Sequence, residues 1–353
     1  MSNHERQLTL RPPGDYRLSR DVCSYGYFLL APNRWDVGEQ TLSRGLVVGR
    51  RVFGVQIAQP SRRAGGALVV SLDRAATAPE RESLRSQISR MLRLDEDTAL
   101  VRAFHRADPR WKRSGRARLF RSPTFFEDVV KTVTSCNITW PGTVHINRRL
   151  CEVLGARSAS GLLAFPEARV LARTDPLLLR ERCRVGYRDR RLVELATLWG
   201  ADRSAIRAIE SGTLSTDEIH ERVLEWPGVG PYAAANLLQL LGRYERLPLD
   251  SESVRHGRTL LGFRGTSAAV MKRVAAHFAP FGEQAFRSYW FEMWAHYETL
   301  HGPASTWDRD TTGTQFTAAA IRAKEQARLR PRLGVAGRTR TGPKVRDNRR
   351  SGP

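Results

Sequence analysis

The rhythm of polar and apolar positions changes at about residue 80. Before it, apolar residues gather in short aromatic or β-branched runs, SYGYFLLAPNRW (24–35), GLVVGRRVFGVQIAQ (45–59) and GGALVVSLD (65–73), broken by Pro, Gly and Asn. Runs of this length and punctuation predict antiparallel strands. After it, apolar residues recur at helical spacing in ESLRSQISRMLRL (82–94), FFEDVVKTVTSC (125–136), HINRRLCEVLG (145–155), DPLLLRERC (175–183) and DRRLVELATLWG (189–200). The same spacing continues in DEIHERVL (217–224), AAANLLQLLG (233–242) and VMKRVAAHFA (270–279), giving eight or more helices joined by short Gly, Pro and Asp loops. The expected class is α+β: a small antiparallel β domain at residues 1–80, packed on a mostly α domain at 118–305. A helix and basic linker at 81–117 joins them, and a basic, largely disordered tail follows at 306–353. From residue 318 onward, eleven Lys and Arg stand against two acids, with almost no aromatics.

The 353 residues are enough for two or three domains, and 41% hydrophobic residues support a sizeable core. Charge narrows the function classes: 58 Lys and Arg against 36 acids leave +22. Such an excess points to a polyanion, most often nucleic acid and less often an anionic membrane surface. Apolar stretches fall far short of the ~18 residues of a membrane span, and the polar N-terminus shows no secretory signal. The four cysteines, 23, 136, 151 and 183, form no CxxC pair, which fits a reduced cytoplasmic protein. Arginine outnumbers lysine 53 to 5, as in a GC-rich bacterial genome, so a bacterial, nucleoid-associated location is expected.

The densest local signal is DEIHERVLEWPGVGPYAAANLLQLLG. A helix ends near Leu224, Trp226 to Gly230 make a tight turn, and Pro231 opens a second helix, where its missing N–H costs nothing. Gly228, Val229 and Gly230 then leave bare amides at a helix N-terminus, a compact anion site that suits a DNA phosphate. Taken alone, the segment is equally an ordinary αα-hairpin. Asp250, eighteen residues after Tyr232 in PLDSESVRH, is by itself equally an N-cap.

Together, LEWPGVGPYAA and PLDSESVRH at this distance resemble the helix-hairpin-helix and Gly/Pro…Asp signature of the HhH-GPD base-excision DNA glycosylases. The resemblance covers roughly residues 20 to 305. SPTFFEDVVKTVTSCNITWPGTVHINRRLCEVLG is similar to the family's first core helices, VGYRDRR to its GYR element and APFGEQAFRSYWFEMWAHYE to its closing helix. It implies that Asp250 lies beside the sugar of a flipped nucleotide and stabilises positive charge as the N-glycosidic bond breaks. Glu252, two residues into the helix, is expected to face elsewhere. Where bifunctional relatives carry a lysine, this chain has Tyr232, which cannot form a Schiff base. That implies a monofunctional glycosylase leaving an abasic site. No cysteine follows Cys183, so the iron–sulfur cluster of some relatives is not expected, nor is any metal site, while a monovalent cation on the hairpin carbonyls stays open.

By the same resemblance, Asn137 fills the hole left by the flipped base, Tyr187 is a wedge beside the opposite base, and Arg188 follows toward the unpaired partner. Gly142 stands where the 8-oxoguanine branch has a second arginine, so strict reading of an opposite cytosine is not implied. Tyr25, Tyr27, Tyr232, Trp290 and Trp294 are the aromatic candidates for the base pocket, although 290 and 294 have the i, i+4 spacing of simple core packing. An aromatic pocket favours a cationic alkylated purine such as 3-methyladenine. An 8-oxoguanine-type substrate is the second choice, and a non-catalytic damaged-DNA-binding protein the competitor. The cations between Arg102 and Arg121 are expected to line a DNA backbone track. The partner expected is damaged duplex DNA, bound by a monomer, with no membrane.

Overall fold

The computed structural model describes residues 3–312, 315, 323 and 324. Five strands, β1 (Gln7–Leu10), β2 (Arg34–Asp36), β3 (Thr41–Val48), β4 (Arg51–Ala58) and β5 (Leu68–Leu72), form one antiparallel sheet in the order β1-β5-β4-β3-β2. β3 and β4 make a hairpin in which Val47 faces Val52 and Leu42 faces Ile57, closed by Gly49 at φ +61°. Three helices accompany the sheet: α1 (Leu18–Val22), α2 (Ala78–Met91) and α3 (Thr98–Ala107). α2 starts at a capping box in which Thr77 and Glu80 satisfy each other's backbone, and it packs across β1 and β3.

Eleven helices make the larger part. They are α4 (Phe125–Ser135), α5 (Trp140–Leu154), α6 (Ala168–Leu171), α7 (Pro176–Arg182), α8 (Asp189–Ala201) and α9 (Arg203–Glu210). α10 (Thr216–Leu224), α11 (Pro231–Leu240), α12 (Ser251–Thr259), α13 (Ser267–Phe278) and α14 (Ala285–His301) follow. Every residue of α4 from Phe125 to Thr134 is buried, which makes it the central helix. Its charged residues are compensated from the sheet side. Glu127 accepts both guanidinium arms of Arg44 on β3, at 2.7 and 3.0 Å, and lies 2.7 Å from Lys131. Asp128 accepts from Arg90 on α2 at 2.8 Å. These pairs tie the helical part to the sheet, so both halves share one core.

Three expectations need correction. The run at 24–35 is not a strand until Arg34. Gly26–Leu29 is a single 3-10 turn, and residues 21–33 are buried without a break. A segment threaded through the core has no solvent face, so it shows no alternation. The basic stretch at 102–121 is only partly free for a backbone track. Arg110 pairs with Asp108 and Glu292, Arg116 with Glu298, Arg118 with Asp15 at 2.6 Å and Arg121 with Asp95 at 2.6 Å. Arg102, Arg106, Lys112 and Arg113 remain exposed. The ordered body also runs past residue 305, because Trp307 is fully buried, 5.0 Å from Trp294. The tail beyond lies largely outside the described residues. Among the described residues, no helix is long and apolar enough to cross a membrane.

Candidate active site

The hairpin forms as its residue types require. α10 opens on a Ser215–Glu218 capping box and ends at Leu224. Val229 N–H then bonds Trp226 O at 3.0 Å, and Gly228 turns the chain at φ +82°. A side chain at Gly228 would be strained by that φ and would press on Val133 at 3.2 Å. Gly230 is different. Its φ is −109°, and a Cβ there meets only open space. Gly230 is the N-cap of α11, no side chain caps that helix, and Pro231 takes its first position. The bare N-terminus opens on a broad cleft of about 1500 Å³.

Asn137, Tyr187 and Arg188 line the same cleft. Asn137 sits at φ +51°, a conformation asparagine tolerates, and its Nδ2 donates to Tyr187 Oη at 3.3 Å. The Tyr187 ring is half exposed and lies over two guanidiniums, Arg188 at 4.5 Å and Arg191 at 5.4 Å. Arg188 does not reach outward. It is buried, donating to Val185 O at 3.1 Å, Val133 O at 3.3 Å and Cys136 O. Its work in this structure is to hold the turn that presents Asn137 and to floor the Tyr187 ring.

Asp250 stands where this cleft meets a second, smaller cavity of about 330 Å³. It caps α12: Oδ1 accepts from Glu252 N at 2.9 Å and Ser253 N at 3.0 Å. Among the described residues, nothing hydrogen-bonds Oδ2. Burial pushes the carboxyl up to about 6, with neighbouring Glu252 adding to the rise and the amides of 252 and 253 opposing it. The group is therefore a fixed carboxylate with one oxygen uncommitted. Tyr232, the second residue of α11, lines both cavities beside it, and among the described residues no lysine lines either. Burial and the Asp250 charge hold the Tyr232 phenol well above its ordinary range.

Among the described residues, the smaller cavity has eight aromatic side chains on its walls, two carboxylates and no Lys, Arg or His. Tyr25 and Trp290, expected there, face each other at 4.6 Å, and Trp290 stacks on Trp294 at 5.3 Å. Their indole N–H groups hold the N-terminal segment, Trp290 to Ser24 O at 2.8 Å and Trp294 to Cys23 O at 3.0 Å. Tyr27 lines the cavity as well. The expectation for Glu252 is corrected: it lines both cavities, because its carboxylate bends back to Tyr297 Oη and to Arg255 Nε, the latter at 2.9 Å. Sequence reading also missed Tyr289, Met293, Tyr297, Asn236 and Trp140. For α14 the signal was present, since 289, 290, 293, 294 and 297 form one helical stripe. Asn236 had none beyond lying four residues after Tyr232. Among the described residues, no cluster of three or more His, Cys, Asp or Glu is placed to hold a metal.

No protein family matches the sequence, and no curated protein is similar to it in sequence. Solved structures are similar in fold. The 3-methyladenine DNA glycosylase from Archaeoglobus fulgidus superposes with a TM-score of 0.62 at 18% identity, covering 81% of this chain and 98% of its own. The 8-oxoguanine glycosylase/lyase from Clostridium acetobutylicum, bound to double-stranded DNA containing cytosine opposite 8-oxoguanine, gives 0.60 at 18% identity, covering 84% and 97%. In its apo form the same protein gives 0.59. At these identities the likeness is one of fold: an α+β architecture shared with these solved glycosylases.

Proposed function

We propose that this protein is a DNA glycosylase that draws a damaged base out of duplex DNA and hydrolyses its N-glycosidic bond, with an alkylated purine such as 3-methyladenine as substrate. The observation that carries the reading is the aromatic cavity opening at Asp250. A base methylated on a ring nitrogen carries positive charge. Aromatic faces and carboxylates attract it, and no cationic side chain on the wall opposes it. The broad cleft, with the uncapped start of α11 and the Asn137–Tyr187 pair, suits the duplex and its phosphates. The fold shared with 3-methyladenine and 8-oxoguanine glycosylases supports the same assignment.

As the bond between the sugar C1′ and the base nitrogen lengthens, its electron pair leaves with the base, and a cationic base departs neutral. Positive charge grows on the deoxyribose. Asp250, held by the first turn of α12, stabilises it and orients the water that adds at C1′ and loses a proton. Among the described residues the site offers no lysine amine for a sugar adduct, so the product is an abasic site on an intact strand. An 8-oxoguanine-type substrate is the second reading, favoured by the Asn137–Tyr187 pair beside the cleft.

The test is base release from end-labelled duplexes carrying 3-methyladenine, 1,N6-ethenoadenine, hypoxanthine, uracil or 8-oxoguanine, each read with and without alkali. Cleavage of the 3-methyladenine strand only after alkali, lost in Asp250→Asn, is expected. Nicking without alkali overturns the monofunctional assignment. Tight binding with no base released from any duplex moves the protein to the damage-marking reading.

A further inference from the structure

We infer that Asn236 is a positioning residue that holds the Tyr25 ring as one wall of the base cavity. The inference rests on the glycosylase reading for its kinetic consequences, and on geometry alone for the anchoring. Asn236 lies on α11, one turn beyond Tyr232, and its side chain is buried. Its Oδ1 accepts from Tyr25 Oη at 2.7 Å and from Gln239 Nε2 at 3.3 Å. Its Nδ2 donates to Thr132 Oγ1 on α4 at 3.1 Å, and that hydroxyl also bonds Tyr27 Oη at 2.7 Å. One amide therefore fixes the phenols of both tyrosines that the N-terminal segment contributes to the cavity.

Ordinary packing does not ask for this arrangement. A buried tyrosine needs some partner for its hydroxyl, and a backbone carbonyl would serve. Here the partner is a side chain that is itself locked at both ends, on the helix that begins at the DNA-facing hairpin. The Tyr25 ring packs against Trp290 at 4.6 Å and against Tyr27 at 4.9 Å, so a tilt of this ring shifts the aromatic wall of the cavity. Asn236 lines the same cavity, which makes α11 the source of the anion site, of Tyr232 and of the clamp on the facing wall. The shape of that aromatic wall, and with it the preference for flat cationic bases, depends on this one amide.

Tyr25→Phe keeps the ring and removes only the anchor. With Asp250 untouched, KM for a 3-methyladenine duplex is expected to rise about five- to tenfold, as for a lost buried hydrogen bond, while kcat stays within about twofold. Asn236→Ala should match it, and the double variant should be no worse than the poorer single, because one interaction is removed twice. Asn236→Asp keeps the Tyr25 acceptor and loses the Thr132 donor, so a smaller rise in KM is expected, and it serves where alanine disturbs folding. A second readout is independent of catalysis: 3-fluorotyrosine placed at position 25 should give one narrow fluorine resonance in the native chain and in Asn236→Asp, and a shifted, broadened one in Asn236→Ala. A resonance unchanged in Asn236→Ala overturns the anchoring, as does Tyr25→Phe with native KM. If the resonance moves and the native protein releases no base from any lesion, the glycosylase reading fails and the anchoring stands.

Discussion

Glu127 and Asp250 are both buried carboxylates at the start of a helix, and their surroundings give them opposite lives. Glu127, in the first turn of α4, meets Arg44 and Lys131. Burial alone would raise it, but the two cations outweigh burial and bring it down to about 2. Asp250, at the start of α12, has only backbone amides and a hydroxyl, and burial keeps it up near 6. A buried charge that is fully compensated builds the fold; one left half compensated retains the free energy that chemistry can use. The fold places the first at the sheet–helix junction and the second where two cavities meet.

The comparison breaks most visibly at its structural member. Glu127→Ala leaves Arg44 and Lys131 buried without their counter-ion and should cost about 3–5 kcal/mol of stability, read from the denaturation midpoint. A loss below about 1 kcal/mol would show that the triad is not holding the sheet to α4. Asp250→Asn should lower base release by roughly 10²–10³-fold without lowering the melting temperature, since asparagine caps a helix as well as aspartate does and carries no buried charge. Asp250→Ala should lose the same activity and a further ~1 kcal/mol of stability.

Acid should separate the two carboxylates without mutation. As pH falls below about 6, Asp250 takes up a proton and kcat/KM should drop about tenfold per pH unit. Its folded pKa lies above the ordinary 3.8, so protonation between about 6 and 3.8 slightly favours the folded chain. Glu127 has the reverse sign: depressed to about 2 from 4.5, it supplies stability above 4.5 that is lost as pH falls toward 2. Activity should therefore fail at least one pH unit before the fold does. Coincident loss of both would refute the division.

The smallest effects belong to the hairpin. Gly228→Val should destabilise by about 1–2 kcal/mol, the cost of a side chain at positive φ. Gly230→Val should fold normally and bind every duplex roughly tenfold more weakly, damaged or not, as a phosphate contact is lost. A defect confined to one lesion would contradict a phosphate role.

What the sequence made legible follows from how local each signal is. The α10–α11 hairpin, the cap at Asp250 and the stripe on α14 are written in spacing and turn chemistry, and the structure has them where spacing puts them. Residues 24–33 misled because a segment buried on every side carries no periodicity, so its aromatic composition imitated a strand. Arg110, Arg116, Arg118 and Arg121 looked like a free basic run because their acids, Glu292, Glu298, Asp15 and Asp95, come from distant parts of the chain. The same distance hid Asn236, whose partners Tyr25 and Thr132 meet it only after folding. Asp250 and Glu252 lining one site was missed because the carboxylate of 252 is held by Tyr297, which reaches it from α14 only after folding.

The double duty of Asp250 bears on how this chain can change over time. The oxygen that closes the first turn of α12 belongs to the same group whose charge the proposed chemistry needs, so selection for folding alone retains a capping residue at this position. A lineage that abandoned catalysis would not drift freely here. It would be confined to the few residue types that cap a helix, and asparagine would be the quiet mark of the lost activity. Among descendants, the exchange of aspartate for asparagine at this one position therefore separates working enzymes from folded relics more sharply than any change in the hairpin.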